Sequence, residues 1–359
     1  MVILSLRRYS REIEESLDRR QREFLSSEKG LRKPITEDIF EKRILISPED
    51  LRVVNYRRSR PSAAFNPAAL LRDNILYIYP RLIFDYYKYT SSIALFRVNV
   101  EELLNEVFEK PLETRIILWP RELWEFLGTE DPRATPVDGR IYMLYTGKGY
   151  HLEEGDELKY RDVLGFVELS PLNEVLRKGF FKIVQEGDVY LSDSQKDSAF
   201  LKIDSSKATM LTRLMVRNIK ICWRACASIR DLEIYGDTLE PVLGLEDWEF
   251  KTGWSTNAIE LSSNEYLVGW HAVVKSDLSY RNGFAIVNDQ GELLAVSNYL
   301  LAPKGLEEEY GDRALVIFGD GLVKYGELLI WIGGISDYAI GVFVTELDRV
   351  LEKLKWVSR

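Results

Sequence analysis

The sequence lacks the excess of basic residues that nucleic-acid binding needs, and it has few of the histidines and cysteines that often bind metals. Its 359 residues carry 48 Lys and Arg against 57 Asp and Glu, a formal net charge of −9. A nucleic-acid interface needs a basic face, so this charge balance argues against that class. The chain has two histidines and two cysteines. Cys222 and Cys226 lie four residues apart, which is not a metal-binding spacing, and we expect them to pack in a strand in a reducing compartment.

Long apolar runs are also missing. No stretch approaches the roughly 18 apolar residues that a membrane-spanning helix requires. Met1 to Leu6 is too short for the apolar region of a secretion signal, and two arginines follow it at once. The sequence has no dinucleotide-binding motif and no phosphate-binding glycine loop. We therefore expect a cytoplasmic protein with no membrane partner, no metal and no organic cofactor.

The chain does contain a repeated apolar strand. Its five copies end 58 to 67 residues apart, at Ile75–Tyr79, Ile141–Tyr145, Ala208–Thr212, Tyr266–Trp270 and Leu328–Trp331. A period of this size that carries strands and turns is typical of a repeat architecture.

A polar residue stands 13 to 15 residues before the end of each of the first four strands: Asn66, Asp131, Asp197 and Asn257. This distance fits a strand, a tight turn and a second strand, and the Asp, Asn, Ser and Gly residues between them suit hairpin turns. We predict an all-β fold, a five-bladed β-propeller whose polar residues face the central channel. The alternative is a β-sandwich or several small β-domains. Unrelated domains, however, would not keep the same distance between the polar residue and the strand end.

Both ends of the chain show helical patterns. Between residues 6 and 25 apolar residues recur every three or four positions, which predicts an amphipathic helix. We expect it to pack on the ring or, as a second possibility, to join the subunits of a homo-oligomer. The predicted domains are an N-terminal helical extension (1–45), a propeller catalytic domain (46–345) and a C-terminal helix (346–359). Thr345 is the candidate N-cap of that last helix.

The candidate catalytic acid is Asp131, in the string Leu127-Gly-Thr-Glu-Asp-Pro-Arg-Ala-Thr135. The following proline pushes Asp131 out of helical conformation. Adjacent Glu130 is a like charge, and burial beside a like charge raises the pKa of a carboxyl, as a general acid requires. The simpler alternative is an Asx-type turn that caps a strand.

Four further side chains occur at matching phase in the neighbouring repeats. Lys196 adjoins Asp197, Arg213 follows its strand end, Lys251 precedes Gly253, and His271 follows Trp270. Converging on one axis, they would form an anion pocket of phosphate size. Taken singly, each is equally consistent with a salt bridge between repeats.

These strings together resemble glycoside hydrolase family 130, the β-mannoside phosphorylase and glycosidase-related family. The resemblance covers roughly residues 60 to 350, through the Asp131 string with Asp138-Gly-Arg-Ile-Tyr-Met-Leu-Tyr-Thr146, Phe65-Asn-Pro-Ala-Ala, Lys196-Asp-Ser-Ala, Met210-Leu-Thr-Arg, Trp248-Glu-Phe-Lys-Thr-Gly, Gly269-Trp-His-Ala-Val and Gly333-Gly-Ile-Ser-Asp-Tyr-Ala-Ile-Gly. It implies a five-bladed propeller that acts on β-mannosidic bonds.

The resemblance also implies residue roles. Asp131 matches the catalytic acid. Phosphate-binding positions match Lys196, Arg213, Lys251 and His271, and substrate-binding positions match Asn66, Arg81, Glu130, Arg133 and Asp337. The chain departs from the family pattern at Ala68, in Phe200-Leu-Lys-Ile, at Gly253-Trp-Ser-Thr-Asn-Ala-Ile, and at Phe318-Gly-Asp-Gly, where the family has Phe-Pro-Thr-Gly.

The leading functional hypothesis is inverting phosphorolysis of a β-mannoside or related β-glycoside, with inorganic phosphate as co-substrate and a sugar 1-phosphate as product. The first alternative is hydrolysis at the same Asp131, with Asp197 or Glu130 positioning water. The second alternative is a non-catalytic, carbohydrate-binding propeller. Trp254, Tyr310 and Tyr338 are candidate stacking platforms for sugar rings or, equally, packing residues.

Overall fold

Strands dominate the computed structural model, which describes residues 11–153 and 157–357. The predicted all-β class is confirmed, since the described residues form twenty-six strands against four short or medium α-helices. None of the described helices is long and apolar enough to cross a membrane.

The strands fall into five consecutive units of mainly antiparallel neighbours. Ahead of them come α1 (Arg11–Ser27), β1 (Lys42–Ile46) and β2 (Leu51–Val53). Unit 1 contains β3 (Ala63–Arg72), β4 (Ile75–Ile83), β5 (Ser91–Asn99), α2 (Val100–Leu104) and β6 (Leu112–Leu118). Unit 2 contains β7 (Gly128–Val137), β8 (Arg140–Leu152), β9 (Leu158–Leu169) and β10 (Val175–Phe180).

The later units follow the same order. Unit 3 contains β11 (Lys182–Gln185), β12 (Asp188–Tyr190), β13 (Gln195–Asp204), β14 (Lys207–Val216), β15 (Ile219–Ser228), β16 (Glu233–Tyr235) and β17 (Glu240–Leu243). Unit 4 contains β18 (Glu249–Trp254), β19 (Ile259–Ser262), β20 (Glu265–Val274), β21 (Tyr280–Val287) and β22 (Leu293–Val296). After α3 (Leu306–Glu309), unit 5 contains β23 (Ile317–Tyr325), β24 (Leu328–Ile335) and β25 (Ala339–Glu346), followed by α4 (Leu347–Glu352) and β26 (Lys355–Trp356).

Hydrogen bonding groups these strands into four sheets, each open within the described residues. The nine-stranded sheet combines units 1 and 2 through one parallel bridge, between Ser91 and Gly128. The five repeated apolar segments of the sequence lie in β4, β8, β14, β20 and β24, the second long strand of each unit.

The first long strand of four units is interrupted at the same point. The register shifts lie between Phe65 and Ala68, Glu130 and Arg133, Lys196 and Ala199, and Gly319 and Gly321. Within three of these bulges Asn66, Asp131 and Asp197 have φ of 44°, 51° and 49°. Asn and Asp tolerate this left-handed conformation best, and a bulge re-aims the side chain it carries. Three of the four repeated polar residues of the sequence therefore lie in a repeated bulge, whereas Asn257 lies in the segment between β18 and β19.

Apolar packing joins each unit to its neighbour. Five buried clusters lie between units 1 and 2, 2 and 3, 3 and 4, 4 and 5, and 5 and 1. The last of these places Val323 and Ile330 of unit 5 beside Ala69 and Leu76 of unit 1. Burial of such side chains contributes about 25 cal/mol per Å² of apolar surface. Apolar clusters therefore join each unit to the next one along the chain, and one further cluster joins unit 5 to unit 1.

The N-terminal helix packs within the chain. Ile13 and Leu17 of α1 are buried in the cluster between units 2 and 3. The Gln21 side chain donates to the Val216 carbonyl at 3.1 Å. Its described part runs from Arg11 to Ser27 and so ends two residues beyond the predicted span, while the predicted start falls within residues 1–10, outside the described part of the chain.

The segments before and after the five units pair with different sheets, that of unit 5 for β1 and that of unit 4 for β26. Strand β1 pairs antiparallel with β25, so the predicted domain limit at residue 45 falls inside a strand of this sheet. At the other end α4 covers only Leu347–Glu352, and β26 returns to the sheet by pairing with β22. The prediction of Thr345 as N-cap is wrong. Its hydroxyl donates to the Ile39 carbonyl at 2.9 Å, and Glu346 occupies the N-cap position.

A buried ion pair fixes the segment between α1 and β1. Arg32 Nη2 lies 2.6 Å from Glu249 Oε2 and donates to the Gly244 carbonyl at 2.9 Å. The guanidinium also stands over the Trp270 ring, 4.8 Å from its centroid. An uncompensated charge at such a place is costly, so this pair ties the N-terminal segment to unit 4.

We expect Arg32→Ala to lower the free energy of unfolding by about 3–5 kcal/mol, since it leaves Glu249 buried without its partner. Urea denaturation of purified protein measures this. Lys29→Ala is the matched control, because the Lys29–Asp247 pair is exposed and its loss should leave the midpoint unchanged. Equal midpoints for the two variants would contradict the prediction.

Candidate functional site

One side of the site is a group of acidic side chains held by an arginine. Asp131 Oδ1 accepts from Asn66 Nδ2 at 2.9 Å and from Arg81 Nη1 at 3.2 Å. Arg81 Nη2 donates to Glu130 Oε1 at 2.7 Å. All four side chains are buried. The structure thus brings four predicted site residues into direct contact, and we call these with Asp337 the acid cluster.

Aromatic rings hold Arg81 in this cluster. Its guanidinium carbon lies 4.8 Å from the Phe65 ring centroid and 5.7 Å from that of Tyr89. Although burial disfavours the charge, Glu130 and Asp131 raise the pKa of Arg81 further above its usual range. The guanidinium stays charged and keeps both carboxylates in place.

Asp337 completes the acid cluster from the turn after β24. It has a φ of 52° and is half-buried. Burial raises the pKa of Asp337 to about 6, while Arg81 and Arg313 oppose the rise. This carboxyl therefore changes charge close to neutral pH.

The other side of the site is a group of basic side chains, which we call the cation cluster: Lys196, Arg213, Lys251 and His271. Arg213 Nε lies 2.5 Å from Asp197 Oδ2, and His271 Nε2 lies 3.8 Å from the same oxygen. Lys196 Nζ is 3.0 Å from Asp162 Oδ2. Lys251 Nζ donates to the Tyr280 hydroxyl at 2.6 Å. Opposite charges therefore balance part of this cluster.

Asp197 is held as an ionised carboxylate. Although burial opposes the charge, the surrounding cations, Arg213 foremost, keep the pKa of Asp197 well below its usual range. A carboxylate bound this way is a weak base, and Arg213 already occupies the oxygen nearest His271. Its placement therefore suits anchoring of cations better than activation of water.

His271 is enclosed by aromatic rings. It stacks on Tyr280 with centroids 5.4 Å apart and meets the Phe318 edge at 4.9 Å. Ser255 Oγ lies 3.1 Å from its Nδ1. Burial holds the pKa of His271 well below its usual range, so the ring is neutral at neutral pH. A Cβ on Gly253 would lie 2.6 Å from the His271 ring, which explains the glycine in the facing strand.

Arg133 joins the two clusters. Its Nη1 donates to the Asp131 carbonyl at 2.9 Å, and its Nε donates to the Ser255 carbonyl at 2.8 Å. Its Nη2 lies 2.7 Å from Asp320 Oδ1 and 3.7 Å from Asp197 Oδ1. One buried guanidinium therefore contacts both the proposed acid and the carboxylate that anchors Arg213.

Comparison with known proteins identifies the family. A family model described as β-1,4-mannooligosaccharide phosphorylase, glycoside hydrolase family 130, matches residues 30–356. The chain belongs to this family. The expected enzyme class, a glycoside phosphorylase or glycoside hydrolase, is thereby confirmed.

Individual family members are similar over most of their length. A β-1,2-mannobiose phosphorylase of Thermoanaerobacter sp. (strain X514) is 27% identical over 304 residues, which are 80% of this chain and 91% of that protein. The β-1,2-mannobiose phosphorylase of Listeria innocua has a TM-score of 0.64 at 15% identity, covering 87% of this chain and 99% of its own. A mannose phosphorylase of Leishmania mexicana, solved with a phosphate ion, has a TM-score of 0.56 at 13% identity. The match covers 97% of this chain and 98% of that one. At these identities the two structures show a shared fold.

Several residues of the site in this family 130 member were not predicted. They include the partners Ser91 and Lys148 of Glu130, Asp162 of Lys196, Tyr280 of Lys251 and Asp320 of Arg133. Each comes from another strand than the residue it contacts, so no local spacing shows the pairing. Asp320 alone had a signal, as the acidic residue in the altered Phe318-Gly-Asp-Gly string.

The three candidate stacking aromatics are placed differently from one another. Trp254 is fully buried and its indole nitrogen donates to the Trp223 carbonyl, so it is a packing residue. Tyr338 is half-buried and its hydroxyl donates to Glu49. Tyr310 is 76% exposed and stays a candidate platform. Within residues 11–153 and 157–357, no group of three His, Cys, Asp or Glu side chains is placed to hold a metal ion.

Lys251 makes anion binding dependent on pH. Burial, reinforced by nearby Arg213, lowers the pKa of Lys251 to about 7. Lys251 is therefore a charged ammonium below that pH. Above it, the charged fraction falls by about tenfold per pH unit. We expect binding of sulfate, which stays a dianion, to weaken as pH rises above about 7. Lys251→Met should weaken binding at pH about 6 and flatten this dependence, as calorimetric titration would show.

Lys196→Met is the matched control. Asp162 raises the pKa of Lys196 in spite of its burial, so this ammonium stays charged over the same range. We expect the Lys196 variant to bind sulfate more weakly by the same factor at every pH. A Lys251 variant with unchanged pH dependence would overturn the assignment of that dependence to Lys251.

Proposed function

We propose that this protein catalyses inverting phosphorolysis of a β-mannoside, releasing a mannose 1-phosphate and the shortened glycoside. The observation that carries the proposal is the single Arg133 guanidinium between the two clusters, 2.9 Å from the Asp131 carbonyl and 3.7 Å from the Asp197 carboxylate that binds Arg213. An acid and an anion-binding group so close together suit a reaction between a glycosidic bond and phosphate. The names of the similar mannobiose phosphorylases agree with this substrate class.

The chemistry requires one acid and one nucleophile. A phosphate oxygen attacks the anomeric carbon on the face opposite the leaving group, the glycosidic C–O bond breaks, and the configuration inverts. Asp131 supplies the proton that reaches the departing oxygen, by way of a sugar hydroxyl in the mechanism the family resemblance implies. Inverting hydrolases need a second carboxylate to activate water. Phosphate is already an anion at neutral pH, so one carboxylic acid suffices.

The cation cluster would hold the nucleophile. Lys196, Arg213 and Lys251 offer charged donors, and neutral His271 offers a ring N–H. Asp197 fixes Arg213 before phosphate arrives, which lowers the entropy cost of positioning. On the opposite side Asn66, Arg81, Glu130 and Asp337 would contact the sugar hydroxyls around Asp131.

The five units are proposed to form the blades of a closed five-bladed propeller. Apolar clusters between every consecutive pair of units, and between units 5 and 1, support a ring. Strand β1 would complete the last blade by pairing with β25. The bulges that carry Asn66, Asp131 and Asp197 would then meet at the central channel.

The wider setting is also a proposal. Two free cysteines fit a reducing, cytoplasmic compartment. A homo-oligomer could use the face of α1 that does not pack on unit 3. The catalytic domain proposed for residues 46–345 would need β1 from the N-terminal extension for its fifth sheet.

Hydrolysis is the competing function, and the contacts of its candidate bases argue against it. Asp197 binds Arg213, while Glu130 accepts from Arg81 and from Ser91 at 3.2 Å. Neither carboxylate is free to position water. The third hypothesis, a carbohydrate-binding propeller without activity, disagrees with the enzyme class of the family.

Phosphate dependence tests the proposal directly. We expect β-1,2- or β-1,4-mannobiose to yield mannose 1-phosphate, detected by ³¹P NMR, only when phosphate is present. β-Glucosides and β-N-acetylglucosaminides form the comparison set. Equal turnover without phosphate would establish a hydrolase, and binding without turnover of any glycoside would establish a binding protein.

Asp131→Asn should lower kcat by about 10²–10⁴-fold, the usual contribution of a general acid, with mannobiose affinity retained. Steady-state kinetics and calorimetric binding measure the two effects. Asp138→Asn is the control, an exposed aspartate in the hairpin turn that follows the same strand. Similar losses in both variants would remove Asp131 from the mechanism.

A further inference from the structure

Asp320 occupies the same strand position in unit 5 as the polar bulge residues of units 1 to 3. It lies in β23 at the register shift between Gly319 and Gly321. A Cβ on Gly319 would lie 1.9 Å from the Trp331 ring, so glycine is required for the strand to approach this closely. The bulge turns Asp320 into the interior, where the family pattern has threonine.

The Asp320 carboxyl is completely buried and depends on one partner. Its exposure is 0%, and Oδ1 lies 2.7 Å from Arg133 Nη2. Neither oxygen has a well-formed hydrogen bond within the described residues. Burial raises the pKa of Asp320 well above its usual range, although Arg133 opposes this. A carboxyl oxygen accepts from a guanidinium in either protonation state, and burying it without an interaction would be costly.

The partner of Asp320 is the arginine that holds the backbone of the proposed acid. Arg133 Nη1 donates to the Asp131 carbonyl, and its guanidinium carbon lies 5.3 Å from the Phe318 ring centroid. Asp131 has the left-handed φ of 51°, a conformation that persists only when surrounding contacts hold it. Asp197 lies 3.7 Å from the same Nη2 on the other side. Without Asp320, attraction to Asp197 would draw the guanidinium away from unit 5.

We propose that Asp320 is a positioning residue that orients the Asp131 acid through Arg133. The inference rests on the proposed role of Asp131 in proton transfer. Among the described residues, no hydrogen bond or ion pair joins the Asp320 carboxyl to the cation cluster or to the side chain of Asp131, so the Arg133 guanidinium is its direct route to the reaction. It should therefore change the rate of the chemical step and leave phosphate binding almost unaltered.

The test compares Asp320→Ala with Asp320→Asn. We expect Asp320→Ala to lower kcat by about 10–100-fold, the cost of a small misplacement of a catalytic group, with KM for phosphate within about twofold. Asp320→Asn should recover part of the rate, because its amide oxygen keeps a partial negative charge beside the Arg133 guanidinium. Asp204→Asn, an exposed aspartate at the far end of β13, is the control for the substitution itself.

A double-mutant cycle with Arg133→Lys separates positioning from general loss of stability. If Asp320 acts through Arg133, Asp320→Asn should cause no further loss of kcat in the Arg133→Lys background. Additive losses, an unchanged kcat in both Asp320 variants, or a rise in KM that accounts for the whole effect would overturn the proposal. Should the alanine variant fail to fold, the asparagine variant and the cycle give the same decision.

A crystal structure of Asp320→Asn or Asp320→Ala provides a readout independent of turnover. We expect the Arg133 Nη1 to Asp131 carbonyl hydrogen bond to lengthen or break. An unchanged bond would reject the positioning role even if the wild-type enzyme proves to be a hydrolase or inactive. Conversely, suppose that the wild type shows no phosphorolysis while the hydrogen bond from Arg133 to the Asp131 carbonyl is broken in the variant. That result would reject only the proposed reaction.

Discussion

The site depends on one buried cation that several units share. The Arg133 guanidinium from unit 2 lies against Asp197 of unit 3, the Ser255 carbonyl after unit 4's first strand, and Asp320 of unit 5. A guanidinium removed from water is stable only when such acceptors surround it. Because the acceptors belong to different units, the arginine fixes how those units sit relative to each other. The same contacts therefore stabilise the packing of units 2 to 5 and bring the acid cluster to the cation cluster.

Charge balance explains why so many ionisable groups can be buried together. Arg81 is compensated by Glu130 and Asp131, Arg213 by Asp197, and Lys196 by Asp162. Lys251 has Tyr280 as its hydrogen-bond partner, and its pKa falls to about 7. Because Lys251 has no acidic partner among these pairs, the cation cluster keeps positive charge available for an anion. Asp131 lies beside the hydrogen-bond donors Asn66 and Arg81. Such preorganisation is what phosphorolysis requires, since little rearrangement remains to be made when phosphate and sugar meet.

Part of the fold and part of the site could be predicted from local sequence patterns. Strand periodicity and turn residues placed β4, β8, β14, β20 and β24, because hairpins are decided by neighbouring residues. The Asp131 string and the matched phase of Lys196, Arg213, Lys251 and His271 identified residues that do converge. Other expectations failed for non-local reasons. Thr345 has a suitable side chain for an N-cap, but its hydroxyl is used by Ile39, over three hundred residues away in sequence. Trp254 was a candidate stacking platform for sugar rings, but it is buried in the apolar cluster between units 3 and 4.

The amino-acid sequence by itself determined the all-β class, the five repeated strands, the repeated polar positions and the family, because these depend on short-range pattern and motif. Only the tertiary structure decided which charges are paired. That Asp197 anchors Arg213 and that Tyr280 holds Lys251 follow from contacts between different strands of one unit, and that Asp320 faces Arg133 follows from a contact between units 5 and 2. Coulomb attraction and desolvation act over a few ångströms of space, and the chain separates these partners by up to 187 residues.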